Sequence, residues 1–229
     1  MATLGIVGGL GPESTIDYYR RILEEWKRES PSSSPSIVID RLDVDRGLRL
    51  VEHDRPGLIE YLAASLARLA AAGADFAAMA ANTPHVVFDE LVGPSKIPMV
   101  SSVEACAEEA ARCDLHRLAL LGTRFTMEGA FYPSVFARRG ITIVVPNDEQ
   151  RRWIHDGYVG QLLRGEFRDE TRDEVISIVR RLRQEQNIDG VILGGTELTL
   201  LLSAPVVAEV PALDTTALHV AAIVKRLRM

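Results

Sequence analysis

The chain has only two cysteines, and no apolar run in it approaches the ~20 uncharged residues that a membrane-spanning helix needs. It also lacks a block of lysine and arginine, and its formal net charge is -6. Two thiols cannot make a disulfide framework. The missing basic face argues against a nucleic-acid partner, whose phosphates would demand one. The N-terminal MATLGIVGG carries neither the charged leading segment nor the cleavage site of a secretion signal. A cytoplasmic protein is therefore expected, with no membrane and no nucleic-acid partner. The five histidines, His53, His85, His116, His155 and His219, show no metal-ligand spacing with Cys, Asp or Glu, so no metal is expected. Cys106 and Cys113 fall on one face of an expected helix and read as reduced, buried or partly buried thiols.

A composition 47% hydrophobic over 229 residues suffices for one large core or two ordinary domains. Short apolar runs (TLGIV, SIVIDRL, FAAMAA, IPMVSS, LALLG, ITIVV, GVILGG and VPALD) alternate with longer amphipathic stretches. Most of the runs are continuously apolar, as expected of parallel strands covered by helices on both faces. Helices are expected over 13–27, 58–71, 103–112, 127–139, 151–164, 170–186 and 217–228. The one polar, proline-bearing stretch, RESPSSSPS, reads as a surface loop. The pattern is that of an α/β protein.

The chain also contains an internal duplication. LGIVGGLGPESTIDYY near the start is similar to LALLGTRFTMEGAFY in the middle, each a strand, a glycine-bearing turn and a helix. FAAMA followed by Ala81-Asn82-Thr83 then matches GVILG followed by Gly195-Thr196-Glu197, and the spacing from Gly8 to Ala81 equals that from Gly122 to Gly195. Two similar α/β halves are expected, with mostly parallel sheets in three-layer α/β/α domains. One half comprises 1–100 completed by 210–229, and the other 101–209. All four loops would follow the C-terminal ends of strands, where open α/β sheets place ligands, and the ligand site would lie between the halves.

Each loop supports a functional and a plain structural reading. In the first, the turn and helix start around Leu10 and Gly11 offer N–H groups to a small carboxylate; otherwise this is a tight turn needing backbone freedom. A dinucleotide fingerprint is poorly met, because Ser14 stands where the third glycine should be, although Asp40 could serve as the ribose acid. In the second loop, Asn82 and Thr83 can bind a ligand or cap the next helix, and His85 is a helix-start residue at an interesting address. In the third, Thr126 is the expected N-cap, and Thr123 or Thr126 could also hold a substrate carboxylate. In the fourth, Thr196 and Glu197 can bind an amino or carboxylate group or cap the helix that follows. Arg46 could clamp a carboxylate bidentately or pair with Asp43 or Asp45.

Five motifs appear in order: GIVGGLGPEST, GADFAAMAANTPHVVFDEL, LLGTRFTMEGAFYPSVF, VPNDEQRRWIHDGYVGQLLRGEF and VILGGTEL. In these the chain resembles, over essentially its whole length, the aspartate/glutamate racemase family of cofactor-independent amino-acid racemases. The resemblance implies a pseudo-symmetric pair of domains, a homodimer, and a small acidic amino acid or dicarboxylate as ligand. It also implies proton abstraction and return at the α-carbon by two thiols, without pyridoxal phosphate or any other cofactor. The thiol positions fall on Ala81 and Gly195, neither of which can carry a proton. His85, Glu197, Thr83 and Thr196 are the candidate substitutes. Substrate-binding roles are implied for Arg46, Asn82, Thr83 and Thr196, with Thr123, Thr126 and, near GQLLRGEF, Arg164. Two alternatives stand beside a racemase: another isomerase or a lyase working through His85 or Glu197, and a non-catalytic protein that binds small carboxylates.

Overall fold

The computed structural model describes residues 2–229. The chain forms two compact units, Met1–Ser101 with His219–Met229, and Ser102–Leu218.

The first unit runs β1 (Thr3–Gly8), α1 (Pro12–Glu29), β2 (Ser36–Arg41), α2 (Val44–His53), α3 (Arg55–Ala71), β3 (Phe76–Met79), a 3-10 turn (Thr83–Val87), α4 (Phe88–Val92) and β4 (Met99–Val100). Its sheet has the order β2-β1-β3-β4, and every pairing is parallel. The period of two sends Leu4, Ile6, Phe76 and Ala78 into a core with Tyr18, Ile22 and Trp26 of α1. The same core takes Val220, Ile223 and Val224 from the chain's last helix. Val7, Ala77 and Met79 enter the opposite core, against Leu58, Leu62, Leu66 and Leu69 of α3. Both faces of the strands are therefore covered, which is why they read as continuous apolar runs.

The second unit runs α5 (Ser102–Arg112), β5 (Arg117–Leu121), α6 (Arg124–Glu128), α7 (Phe131–Ala137), β6 (Thr142–Val144), α8 (Asp148–Gly160), a 3-10 turn (Leu162–Arg164), α9 (Asp169–Gln186), β7 (Gly190–Leu193), α10 (Thr196–Leu201), β8 (Val206–Val207), β9 (Val210–Asp214) and the start of α11 (Thr215–Leu227). The order is β6-β5-β7-β9-β8, parallel except for the last pair. Ala119, Leu121, Val191 and Leu193 face α8 and α9, while Leu118, Leu120 and Ile192 face α5 and α7. Setting β8 aside, the two units share one strand order, β1 corresponding to β5 and β3 to β7. That correspondence is the structural form of the sequence duplication.

Several expectations are corrected. Strand β9 pairs with β7, so residues 210–218 lie in the second unit and the chain passes to the first at His219, not at 210. The segment after β2, which is not among the expected helices, is helical, because Asp43 Oδ1 accepts a hydrogen bond from the Arg46 N–H at 2.8 Å and caps α2. The expected helix 127–139 is two short helices, broken at Gly129, whose backbone is extended. Cys106 is buried, but Cys113 lies past the end of α5 and is exposed.

Candidate functional site

The C-terminal ends of β1, β2 and β3 carry the first unit's candidate groups. After β1, Gly9 adopts a left-handed φ of +83°, and its N–H donates to Thr15 Oγ1 at 2.8 Å. The Thr15 hydroxyl in turn donates to the Gly11 carbonyl at 3.1 Å. The turn is thus closed on itself by a threonine one helical turn into α1, and Gly11 is buried. Leu10 packs toward Gly47 of α2. Arg46, in the first turn of α2, is exposed, and its guanidinium lies over the Tyr61 ring, 4.4 Å from the centroid. The ring holds it by cation–π attraction; it is the Arg46 backbone, not the guanidinium, that pairs with Asp43.

Asp40 does not serve a ribose. Arg68 grips it bidentately, Nε to Oδ1 at 3.0 Å and Nη2 to Oδ2 at 2.7 Å, and Ser65 donates to Oδ2 at 2.6 Å. The Arg68 hydrogen bond holds the Asp40 carboxyl below its ordinary range. With the acid committed and the glycine pattern broken, the nucleotide reading falls.

After β3, Ala81 and Asn82 are buried and Thr83 is half-buried. The Asn82 side chain does not cap the turn that follows, so the helix-capping reading does not account for it. His85 is packed rather than poised. Its Nδ1–H donates to the Ala81 and Asn82 carbonyls at 3.1 and 3.2 Å, and its ring stacks on Phe88. Burial pulls its pKa down to about 4, so the imidazole is neutral near pH 7. Behind it, His219 Nε2–H donates to the Val100 carbonyl at 3.0 Å and its Nδ1 accepts from the Tyr18 hydroxyl, also at 3.0 Å. These histidines fix the buried polar seam of the first unit.

In the second unit, the ends of β5 and β7 carry the matching groups. The N-cap of α6 is Thr123, not Thr126: the Thr123 side chain accepts from the Thr126 N–H at 3.3 Å. The two hydroxyls lie 3.3 Å apart and both residues are buried. The Arg124 N–H points to His155 Nδ1 at 3.3 Å, tying this loop to α8. Arg164 is exposed on the 3-10 turn after α8.

At the end of β7 the sequence reading missed a residue. Gly195 has φ -151°, extended backbone open to any residue, so conformation does not demand glycine there. Space does. A Cβ on residue 195 would stand 2.8 Å from the Tyr158 hydroxyl oxygen and 2.9 Å from Cζ. Tyr158, from α8, donates a hydrogen bond to Glu197 Oε2. The Thr196 hydroxyl donates to the same oxygen at 2.8 Å, and the Glu197 N–H reaches the phenol oxygen at 3.4 Å. Thr196 therefore serves Glu197 rather than capping α10. Tyr158 is 5% exposed and Glu197 1%. Burial, then the neighbouring Glu197 charge, push the Tyr158 hydroxyl well above its ordinary pKa. In the sequence Tyr158 stands four residues after Ile154 and reads as one more core position of an amphipathic helix, which explains why it passed unnoticed.

The thiols do not replace the missing groups. Burial drives the Cys106 thiol far up from its ordinary pKa, and Cys113 is raised too, by slight burial and by its hydrogen bond to Glu109. Among the described residues no group of three or more His, Cys, Asp or Glu is placed to hold a metal ion. No helix among them is long and apolar enough to cross a membrane.

Residues 7–223 match the model of the Asp/Glu/Hydantoin racemase family. The chain belongs to that family. Among racemase relatives, the broad specificity amino-acid racemase RacX of Bacillus subtilis (strain 168) is 24% identical over 221 residues, covering 93% of each chain. A solved structure of an Asp/Glu racemase-type protein from Yersinia pestis is 31% identical, covers 100% of both chains and has a TM-score of 0.88. The aspartate racemase homologue PH1733 of Pyrococcus horikoshii OT3 is also 31% identical with full coverage of both chains, at a TM-score of 0.83. The racemase fold thus extends over this whole chain.

Proposed function

We propose that the chain is an amino-acid racemase that moves the α-proton of a small acidic amino acid or dicarboxylate without pyridoxal phosphate or another cofactor. The observation that carries this reading is the occurrence of Asn82-Thr83 after β3 and Thr196-Glu197 after β7, at corresponding strand ends of two units with one topology. Strand ends of this kind are where parallel sheets bind ligands.

In the first unit, the Leu10 and Gly11 backbone, Arg46, Asn82 and Thr83 supply the polar groups for a carboxylate. In the second, Thr123 and Thr126 do so, while the Thr196 hydroxyl holds Glu197 in place and Arg164 adds a positive charge. A carboxylate held by a guanidinium and several N–H or O–H donors stabilises the negative charge that develops next to it when the α-proton leaves. Ala81 and Gly195 stand at the thiol positions, so the two-thiol route is closed to this chain. The protein works as a homodimer in the cytoplasm, on this reading.

The test is deuterium incorporation at the α-carbon of L- and D-aspartate and L- and D-glutamate in D2O, followed by proton NMR. Incorporation above the uncatalysed background is the expected outcome. The lack of thiols at 81 and 195 favours one competing reading, a non-catalytic protein that binds small carboxylates. That reading predicts ligand-induced thermal stabilisation with no α-exchange for any of the four.

A further inference from the structure

We propose that the Tyr158 hydroxyl, coupled to the Glu197 carboxylate, is the proton carrier that this chain presents at position 195. The proposal rests on the α-proton transfer of the racemase reading and names the group that performs it; with that one carrier, exchange at the α-carbon is fast and inversion slow.

The geometry of the second unit carries it. A side chain on residue 195 would project from the end of β7 at the start of α10, and the phenol oxygen of Tyr158 already lies 2.8 Å from where its first carbon would be. The functional group at that locus is therefore a phenol delivered from α8. A tyrosine that only filled space would need no acid beside it, and a phenylalanine would fill the same volume. Here the phenol donates to a carboxylate that is 1% exposed, and a second hydroxyl, from Thr196, donates to the same oxygen. Burying a carboxylate is costly unless it is hydrogen-bonded, so its place beside a phenol at the strand end calls for a reason. A hydroxyl with an adjoining base is the arrangement that activates an otherwise weak proton acceptor.

The step balances within the pair. The α-C–H bond breaks as the phenol oxygen takes its proton, and the phenol's own proton passes to Glu197 Oε2. The electron pair left on the α-carbon delocalises into the substrate carboxylate. After the two protons on Tyr158 and Glu197 exchange with solvent, the reverse sequence returns a solvent-derived proton to carbon and restores the Glu197 carboxylate. A free phenolate is not required, in keeping with the high pKa that burial imposes on Tyr158. At position 81 there is only a methyl group, so the chain has one carrier where two thiols would be expected. A single carrier returns the proton to the face from which it came. Exchange with solvent deuterium then outruns inversion of configuration.

The experiment follows α-deuteration by NMR and enantiomer composition by chiral chromatography, with L- and D-aspartate and L- and D-glutamate, for the parent protein, Tyr158→Phe and Glu197→Gln. Binding of each amino acid is measured alongside by calorimetry. The expected result is α-deuteration of one enantiomer at least ~10-fold faster than its inversion. It falls on the order of 100-fold or more in Tyr158→Phe, the scale of general acid–base catalysis, while affinity stays within about threefold. Parent-like exchange in Tyr158→Phe overturns the proposal and leaves the racemase reading standing. No exchange by the parent with any of the four overturns both. Inversion keeping pace with exchange overturns the single-carrier account. If Tyr158→Phe does not fold, Glu197→Gln decides: lost exchange with binding retained supports the relay, and unchanged exchange overturns it.

Discussion

The Tyr158 phenol oxygen lies 2.8 Å from where a Cβ on Gly195 would stand, so the two positions fit together as ring and recess. The glycine is the complement of a tyrosine, and putting a cysteine back at 195 does not restore a thiol site unless Tyr158 moves. That relationship gives the first prediction. Gly195→Ala, which adds one methyl group, costs about 1–3 kcal/mol by overpacking. Tyr158→Ala costs about 3–5 kcal/mol as a large-to-small change. The double variant costs less than the sum of the two, because the added methyl enters the emptied space. Urea unfolding of the four proteins measures this, and strict additivity is the outcome that refutes the fit.

The buried histidines predict an acid-labile first unit. His85 is held at about 4 and His219 at about 3, both below the ordinary 6.5 because burial disfavours their charged forms. The unfolded chain binds these protons at higher pH than the native one does. Stability is therefore fully present above pH 6.5 and is lost as pH falls through 6.5 toward 4 and below. For His85 the loss amounts to about 3 kcal/mol at the acid end. Urea midpoints between pH 7 and 4 should fall, and His85→Asn should flatten the slope. An unchanged slope in that variant assigns the acid sensitivity to other groups.

Arg46 is predicted to act on the ligand. Its guanidinium is exposed over Tyr61 at the strand-end edge of the first sheet. If it clamps a substrate carboxylate, Arg46→Ala weakens aspartate or glutamate binding by roughly 10- to 100-fold, the worth of a charged hydrogen-bonded contact. Native-state stability changes little. Calorimetric titration checks both halves, and an unaltered Kd removes Arg46 from the site.

Nucleotides are predicted not to bind. With Asp40 engaged by Arg68 and Ser65, the acid that a dinucleotide fingerprint would turn to a ribose is committed. Millimolar NAD or ATP should leave the Tm unchanged. A ligand present at 100 times its Kd would add about 2.7 kcal/mol of stability and raise it visibly.

Much of the fold is legible in the residues because it depends on local periodicity. Continuous apolar runs such as FAAM and GVIL, bounded by turns and amphipathic stretches, can be buried only as strands covered on both faces. The matched spacing of Gly8 to Ala81 and Gly122 to Gly195 already shows two repeats of one topology. The family follows from the same local text. Boundaries and caps were less legible: Thr123 rather than Thr126 caps α6, and Asp43 starts a helix absent from the expected set, because a cap depends on which N–H turns toward which oxygen. The site chemistry itself lay outside local reach. Nothing within a few residues of Gly195 announces Tyr158, and nothing near Tyr158 announces a buried glutamate. Their meeting requires α8 and the end of β7 to pack together, a long-range contact that only the tertiary structure decides. The sequence determined that position 195 has no side chain; the packing of α8 decided that a phenol stands in the space left for one.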